Sequence, residues 1–175
     1  MSPGVRRFTQ LRAWQVCVAY KKAVYAACEV GPLATNLEKR TQLEESVAGP
    51  PSHVAEGFGR FNPLDFARFC VIARSSLMES QNHLLDLVDK KYIDEATREG
   101  LDGLAQAALQ EVTGLMEYLQ SPEALRNARR ARERRIVSRQ KRRSEQLEGG
   151  SANLEPEPAP NCEPEHEPST ENQEE

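Results

Sequence analysis

The chain of 175 residues carries 23 Lys and Arg against 27 Asp and Glu, a formal net charge of −4, with 6% aromatic residues. That length suffices for one domain with a real core, and sparse aromatics with abundant charge fit a helical domain with solvated faces. No apolar run reaches the ~18 residues of a membrane span, and "MSPGVRRFTQ" lacks an apolar h-region, so neither a span nor a signal peptide is expected.

The first helix is predicted over about Thr9 to Glu29. Leu11, Trp14, Val18, Tyr25 and Cys28 recur at helical spacing and mark its apolar face, and Gly31-Pro32 stops it. Trp14 and Tyr25 therefore read as core rather than as base-stacking platforms. The second helix is predicted over about Thr35 to Glu56, with Leu37, Leu43, Val47 and Val54 as its apolar positions. Gly49-Pro50-Pro51 should kink or break it, because proline lacks the amide donor and clashes with the preceding turn.

"EGFGRF" follows, running from Glu56 to Phe61. A phosphate loop would need a preceding strand and converging amides. The preceding segment is helical and no G-K-[ST] follows. The stretch reads instead as a structural turn of Glu56, Gly57, Gly59, Arg60, Asn62 and Pro63. Gly57 or Gly59 is expected to adopt a left-handed backbone at the helix C-cap, and Glu56 is placed to pair with Arg60. Asn62 caps the third helix, Pro63 opens it, and Asp65 stands where a capping acid reaches back. Phe66, Phe69, Ala73, Leu77, Leu84 and Val88 form the stripe of that helix. A fourth helix begins near Asp94 and carries Leu101, Leu104, Ala108, Val112, Leu115 and Leu119. Long amphipathic helices joined by short connections predict an all-α antiparallel up-and-down four-helix bundle over residues 1–120.

Residues 121–147 are predicted to be a basic helical extension, with Ser121 as cap and Pro122 as first residue. Arg126, Arg129, Arg130, Arg132, Arg134, Arg135, Arg139, Lys141, Arg142 and Arg143 are ten cations broken by one acid, Glu133. Such a run repels itself unless a polyanion compensates, and arginine forks match phosphate oxygens. Nucleic-acid backbone, RNA or DNA, is the partner these residues predict, without base readout. Arg6, Arg7, Lys21 and Lys22 are weaker additions. Residues 148–175 are rich in Pro and Glu and are expected to form a disordered acidic tail. All 23 basic residues precede position 148, whereas 18 acids precede it and nine lie from there on. The first 147 residues thus carry +5 and the remainder −9. Adjacent blocks of opposite sign raise the question of whether they compete for the same contacts.

Cys17, Cys28, Cys70 and Cys162 form no C-x-x-C pair and read as buried or incidental thiols in a reducing cytoplasm. His53 lies three residues before Glu56, His83 falls on another helix, and Cys162 and His166 lie in the tail. None reaches the ligand count of a stable metal site. No paired acids or activated nucleophile emerges, so no catalytic residue, cofactor or metal is expected.

"FTQLRAWQVCVAYKKAVY" resembles the opening helix of the bacterial four-helix bundle family named for 23S rRNA intervening sequences. "PSHVAEGFGRFNPLDFARFCVIARSSLMES" is similar to that family's central signature, an N-I-A-E-G-x-G-R stretch leading into a Phe-rich helix. The likeness extends over about residues 8–120. The family includes the accessory variability proteins of diversity-generating retroelements. The resemblance implies a non-enzymatic, ring-shaped homopentamer with a basic surface for nucleic acid and, in the retroelement branch, a reverse transcriptase partner. The sequence departs from the pattern at Glu44-Glu45, where paired basic residues are common, at Pro50, where an aliphatic residue is usual, and at His53, which replaces Asn. The alternative function is a protein–protein interaction module without direct nucleic-acid binding.

Overall fold

The computed structural model describes residues 5–60 and 62–150, with side chains through residue 146. The expected tail, including Cys162 and His166, lies outside the described residues apart from the last helical positions. Five α-helices succeed one another: α1 (Arg12–Cys28), α2 (Leu37–Phe58), α3 (Pro63–Asp89), α4 (Glu95–Gln120) and α5 (Pro122–Gly150). Short 3-10 turns at Phe8–Gln10 and Gly31–Thr35 precede α1 and α2. The described residues contain no strand, and no helix among them is long and apolar enough to cross a membrane. The chain divides into two compact units, residues 1–134 and 135–175.

In the first unit α1 packs on α2 and α4, and α3 packs on the same two helices. Neighbours run antiparallel, as their ion pairs require. Arg40 near the start of α2 meets Glu29 at the end of α1 at 2.5 Å, and Arg12 at the start of α1 meets Glu111 late in α4 at 3.6 Å. Lys39 of α2 reaches Asp86 late in α3 at 3.5 Å. One core lies between the four, with Leu43, Val47, Leu77, Leu84 and Val112 fully enclosed. Tyr20 of α1 crosses that core and donates its hydroxyl to Ser80 Oγ of α3 at 2.9 Å, while Ser80 donates to the Leu77 carbonyl at 2.7 Å. A buried phenol thus keeps its partner, as burial of a polar group demands.

Four of the five helices start where the sequence provides a side-chain cap, and α1, preceded by Leu11, does not. Asn36 accepts from the Lys39 amide at 3.1 Å, Asn62 from the Leu64 amide at 3.1 Å, Asp94 from the Thr97 amide at 2.8 Å and Ser121 from the Ala124 amide at 3.2 Å. These bonds satisfy amides that the first turn leaves without intrahelical acceptors. The bonds from Thr97 hold the Asp94 carboxyl below its ordinary range. Asp65 does not reach back as a capping acid; it faces Arg68 at 3.5 Å.

Further sequence expectations are corrected. The buried face of α1 is Ala13, Cys17, Tyr20, Val24 and Cys28. Trp14 is only half-buried, edge-on to Phe8, and Tyr25 is exposed beneath Lys21. Small residues at 13, 17 and 28 share the buried face with the bulky Tyr20, while Trp14 and Tyr25 fall to the flanks. Leu37 and Leu104, assigned to apolar stripes, are likewise exposed.

α2 does not break at its prolines. Pro50 and Pro51 lie inside the continuous helix and are buried. They deprive the Ser46 and Val47 carbonyls of their i+4 donors. A preceding residue normally resists the helical conformation through its Cβ, and Gly49 has none. Packing of this segment against α3 maintains the helix through the double proline.

The turn after α2 contains no left-handed glycine. Gly57 is a buried residue within α2, and Gly59 at the C-cap has right-handed dihedrals, φ −70° and ψ −13°. Left-handed backbone occurs elsewhere, at Gly31 (φ 64°) and Lys91 (φ 61°). Gly57 serves close approach instead. A Cβ there would overlap the Phe66 ring and fall 2.9 Å from Phe69 Cβ. Missing side-chain volume at Gly57 is what lets α3 begin against the end of α2.

Candidate nucleic-acid interface

The part of the first unit that precedes α5 is not a basic body. Residues 1–120 hold 13 basic and 15 acidic residues, a net of −2. Most of its cations are already engaged. Arg40 pairs with Glu44 at 2.8 Å as well as with Glu29, Lys90 pairs with Asp86 at 2.6 Å, and Arg98 pairs with Glu95 at 2.5 Å. Of the weaker candidates, Lys21 lies over the Tyr25 ring at 5.7 Å, whereas Lys22, Arg6 and Arg7 are exposed.

α5 is the reverse. Residues 121–147 hold ten basic and three acidic residues, a net of +7. Ala124 is buried and Ala128 half-buried, and every other residue from 125 to 146 is exposed. The helix forms because its sequence is rich in Ala, Arg, Glu and Gln, all strong helix formers. Two spaced acids support it: Glu133 accepts from Arg129 at 3.1 Å, and Glu145 stands 3.8 Å from Lys141. No ion pair joins Arg126, Arg130, Arg132, Arg134, Arg139, Arg142 or Arg143 to a described acid. These guanidinium groups are exposed. That arrangement can neutralise a row of anionic oxygens through charge-assisted bonds.

The structural turn is assembled as the sequence suggests, apart from the glycine conformations. Arg60 donates to Glu56 at 2.8 Å, and its guanidinium lies 4.8 Å from the Phe69 ring centroid. Asn62 and Pro63 then open α3. Glu56 and Arg60 neutralise each other and offer no anion cradle.

The three described cysteines are buried. Burial pushes the Cys17 thiol up to about 12 and those of Cys28 and Cys70 up to about 11. Thiols with such values are not nucleophiles at neutral pH. Burial also pushes the Tyr20 phenol up to about 12, against the opposing hydrogen bond to Ser80.

Two features escape sequence reasoning. A cleft of about 440 Å³ between α2 and α3 brings His53, His83, Glu45 and Glu79 to one surface. The described residues nevertheless contain no group of three or more His, Cys, Asp or Glu placed to hold a metal ion. The second feature is the outer face of α3. Leu64, Val71, Met78 and Leu85 are 45–53% exposed at intervals of seven residues. Seven-residue spacing is visible in the sequence, but the buried stripe of the same helix has that spacing too, and only packing tells the two apart.

The described structure is that of an all-α helical-bundle protein with a bare cationic helix. The chain belongs to the family of 23S rRNA-intervening sequence proteins, whose family model matches residues 9–114. No curated protein matches the chain. The matched span ends before α5, so the cationic helix is an addition to the shared part of the family.

Proposed function

We propose that this protein is a non-enzymatic, oligomeric four-helix bundle that binds nucleic-acid backbone through α5. The observation that carries the reading is the run from Arg126 to Arg143, ten cations exposed on a helix whose bundle neighbour is net negative. In this reading the chain has three parts, a bundle to residue 120, a basic extension to 147 and an acidic tail to 175. It works in the cytoplasm. The family resemblance gives the oligomer as a homopentamer and adds an accessory scaffold role beside a reverse transcriptase, as in diversity-generating retroelements. The exposed apolar side chains of Leu64, Val71, Met78 and Leu85 on one side of α3 support self-association, since exposed apolar surface marks interaction sites. Repetition of α5 on each subunit would raise avidity without tight single contacts.

The test is titration of the full chain into a labelled mixed-sequence oligonucleotide, beside a variant with the ten cations changed to Gln. Affinity should fall at least ~100-fold in the variant if most phosphate contacts are lost, with the melting temperature unchanged. Binding that persists would move the contact to the bundle body. The apolar face of α3 favours a second reading, a protein-interaction module without direct nucleic-acid contact. That reading predicts no salt-sensitive nucleic-acid affinity and a partner complex that survives nuclease.

A further inference from the structure

The cleft between α2 and α3 is defined more by its chemistry than by its size. At about 440 Å³ it falls within the ordinary range of small-molecule sites. Both of its walls belong to the first unit. Gly49 keeps it open. A Cβ built there would stand 3.2 Å from Ser76 Oγ of the facing helix and 3.5 Å from His53 Nε2, and the missing side chain leaves that space to the cleft.

The residues that line the cleft narrow the choice of ligand. Among those described, only Gly49 lacks a polar side chain. An apolar molecule would therefore leave hydroxyl, imidazole and carboxyl groups without partners. No described Lys or Arg lines the cleft, so nothing there neutralises an anion. Its His and Glu side chains are not placed as a metal-holding group of three.

Acceptors are in excess instead. Glu45 stands on the α2 wall, and no ion pair or hydrogen bond joins it to a described residue. Glu79 on the α3 wall stands 3.9 Å from His83 Nε2 and pairs with no described Lys or Arg. Ser46 also lines the cleft, and Pro50 has removed the amide that its carbonyl would meet four residues on. The Ser46 hydroxyl is already donated to the Leu43 carbonyl at 2.8 Å. Lys39 bonds Gln42 of the cleft at 3.4 Å but is held by Asp86 at 3.5 Å. A carboxylate on each wall and a backbone acceptor beside them suit a ligand with two cationic N–H donor groups, which charge-assisted bonds would hold. A short aliphatic diamine has that form, with an ammonium at each end and methylenes between.

We propose that the α2–α3 cleft is a binding site for a small aliphatic diamine, with Glu45 holding one ammonium and Glu79 the other. The site involves no part of α5 and stands apart from the proposed nucleic-acid binding.

The experiment follows the imidazole proton signals of the full chain by NMR at neutral pH and constant ionic strength while putrescine, an aliphatic diamine, is added. The chain has three histidines. His53 and His83 line the cleft. His166 lies among the eight glutamates of residues 151–175 and reports any general attraction of the amine to acidic residues. H53Q, H83Q and H166Q assign the signals. The His53 and His83 signals should shift along one saturable curve that His166 does not follow. Putrescine should bind at least about tenfold more tightly than butylamine, which has a single ammonium, because one further charge-assisted bond supplies such a gain. E45Q and E79Q should each lower putrescine affinity to the butylamine value and leave the melting temperature unchanged, since both side chains are exposed. His53 and His83 signals that stay still, or that move as much when NaCl is added in place of the diamine, would overturn the site. So would equal affinities for putrescine and butylamine, or E45Q and E79Q variants that bind putrescine as tightly as the unchanged chain.

Discussion

α3 and α5 are of similar length, 27 and 29 residues, and are otherwise opposites. α3 buries eight residues, among them Phe66, Leu77, Leu84 and Leu87, and it is enclosed by α2 and α4. Among its described side chains α5 buries only Ala124, and nine of its 29 residues are Arg. Tertiary packing explains α3, in which a poor helix former is tolerated because its side chain is enclosed. Local propensity and i,i+4 pairing explain α5, in which no tertiary contact compensates a weak position. The same secondary structure thus has two physical origins, and they divide the molecule into a part that assembles and a part that presents charge.

The comparison predicts that the two helices fail under different conditions, and alkali should separate them most sharply. Cys17, Cys28 and Cys70 ionise at an ordinary value of 9.0 when unfolded and Tyr20 at 10.0, whereas burial raises the folded values to about 11–12. Below the unfolded values the folded state keeps its full stability. Between pH 9 and pH 12 the unfolded chain releases protons that the folded one retains, so stability falls as pH rises. Thermal melting followed by circular dichroism should be level from pH 6 to 8 and decline steeply above 9.

Leu77→Ala should cost about 2–5 kcal/mol in denaturant unfolding, as core truncations do. At 25 °C, with the bundle still folded, nucleic-acid affinity should be unchanged. Gly57→Ala should cost about 1–3 kcal/mol, because a methyl there meets the Phe66 ring in a close-packed junction. A neutral result would mean that α3 shifts freely against α2. The smallest effect concerns the acidic tail. Changing its eight glutamates from Glu155 to Glu175 to Gln should tighten oligonucleotide binding severalfold at low salt by removing an intrachain competitor, and the gain should vanish at high salt. Equal affinities at low salt would contradict competition.

Much of this was legible in the sequence. The caps at Asn62, Asp94 and Ser121 follow from residue type alone, and the buried positions of α4 apart from the exposed Leu104 follow from spacing. The buried side of α1 was misread in part: Cys28 is buried and Leu11 and Trp14 pack against the core, but Tyr25 faces out and the small Ala13 and Cys17 and the polar-tipped Tyr20 were missed as core. Continuity through Pro50-Pro51 was hidden because propensity speaks for breaking and only packing against α3 speaks for the helix. Gly57 was legible as special but not for its reason, since a turn glycine and a close-contact glycine look alike until Phe66 is in place. The exposure of the basic run was the reverse case: it could be read almost completely from composition. The cleft of His53 and His83 could not, because it depends on the register of α2 against α3.

The most direct test of the account is the salt dependence of nucleic-acid binding by the full chain, beside the variant with the ten α5 cations changed to Gln. If α5 neutralises six to ten phosphates, log K should fall with log salt at a slope of about −5 to −9 for duplex DNA. The variant should lose that slope together with the affinity. A slope that stays steep after the cations are removed would place the contact on the bundle and contradict the assignment of binding to α5.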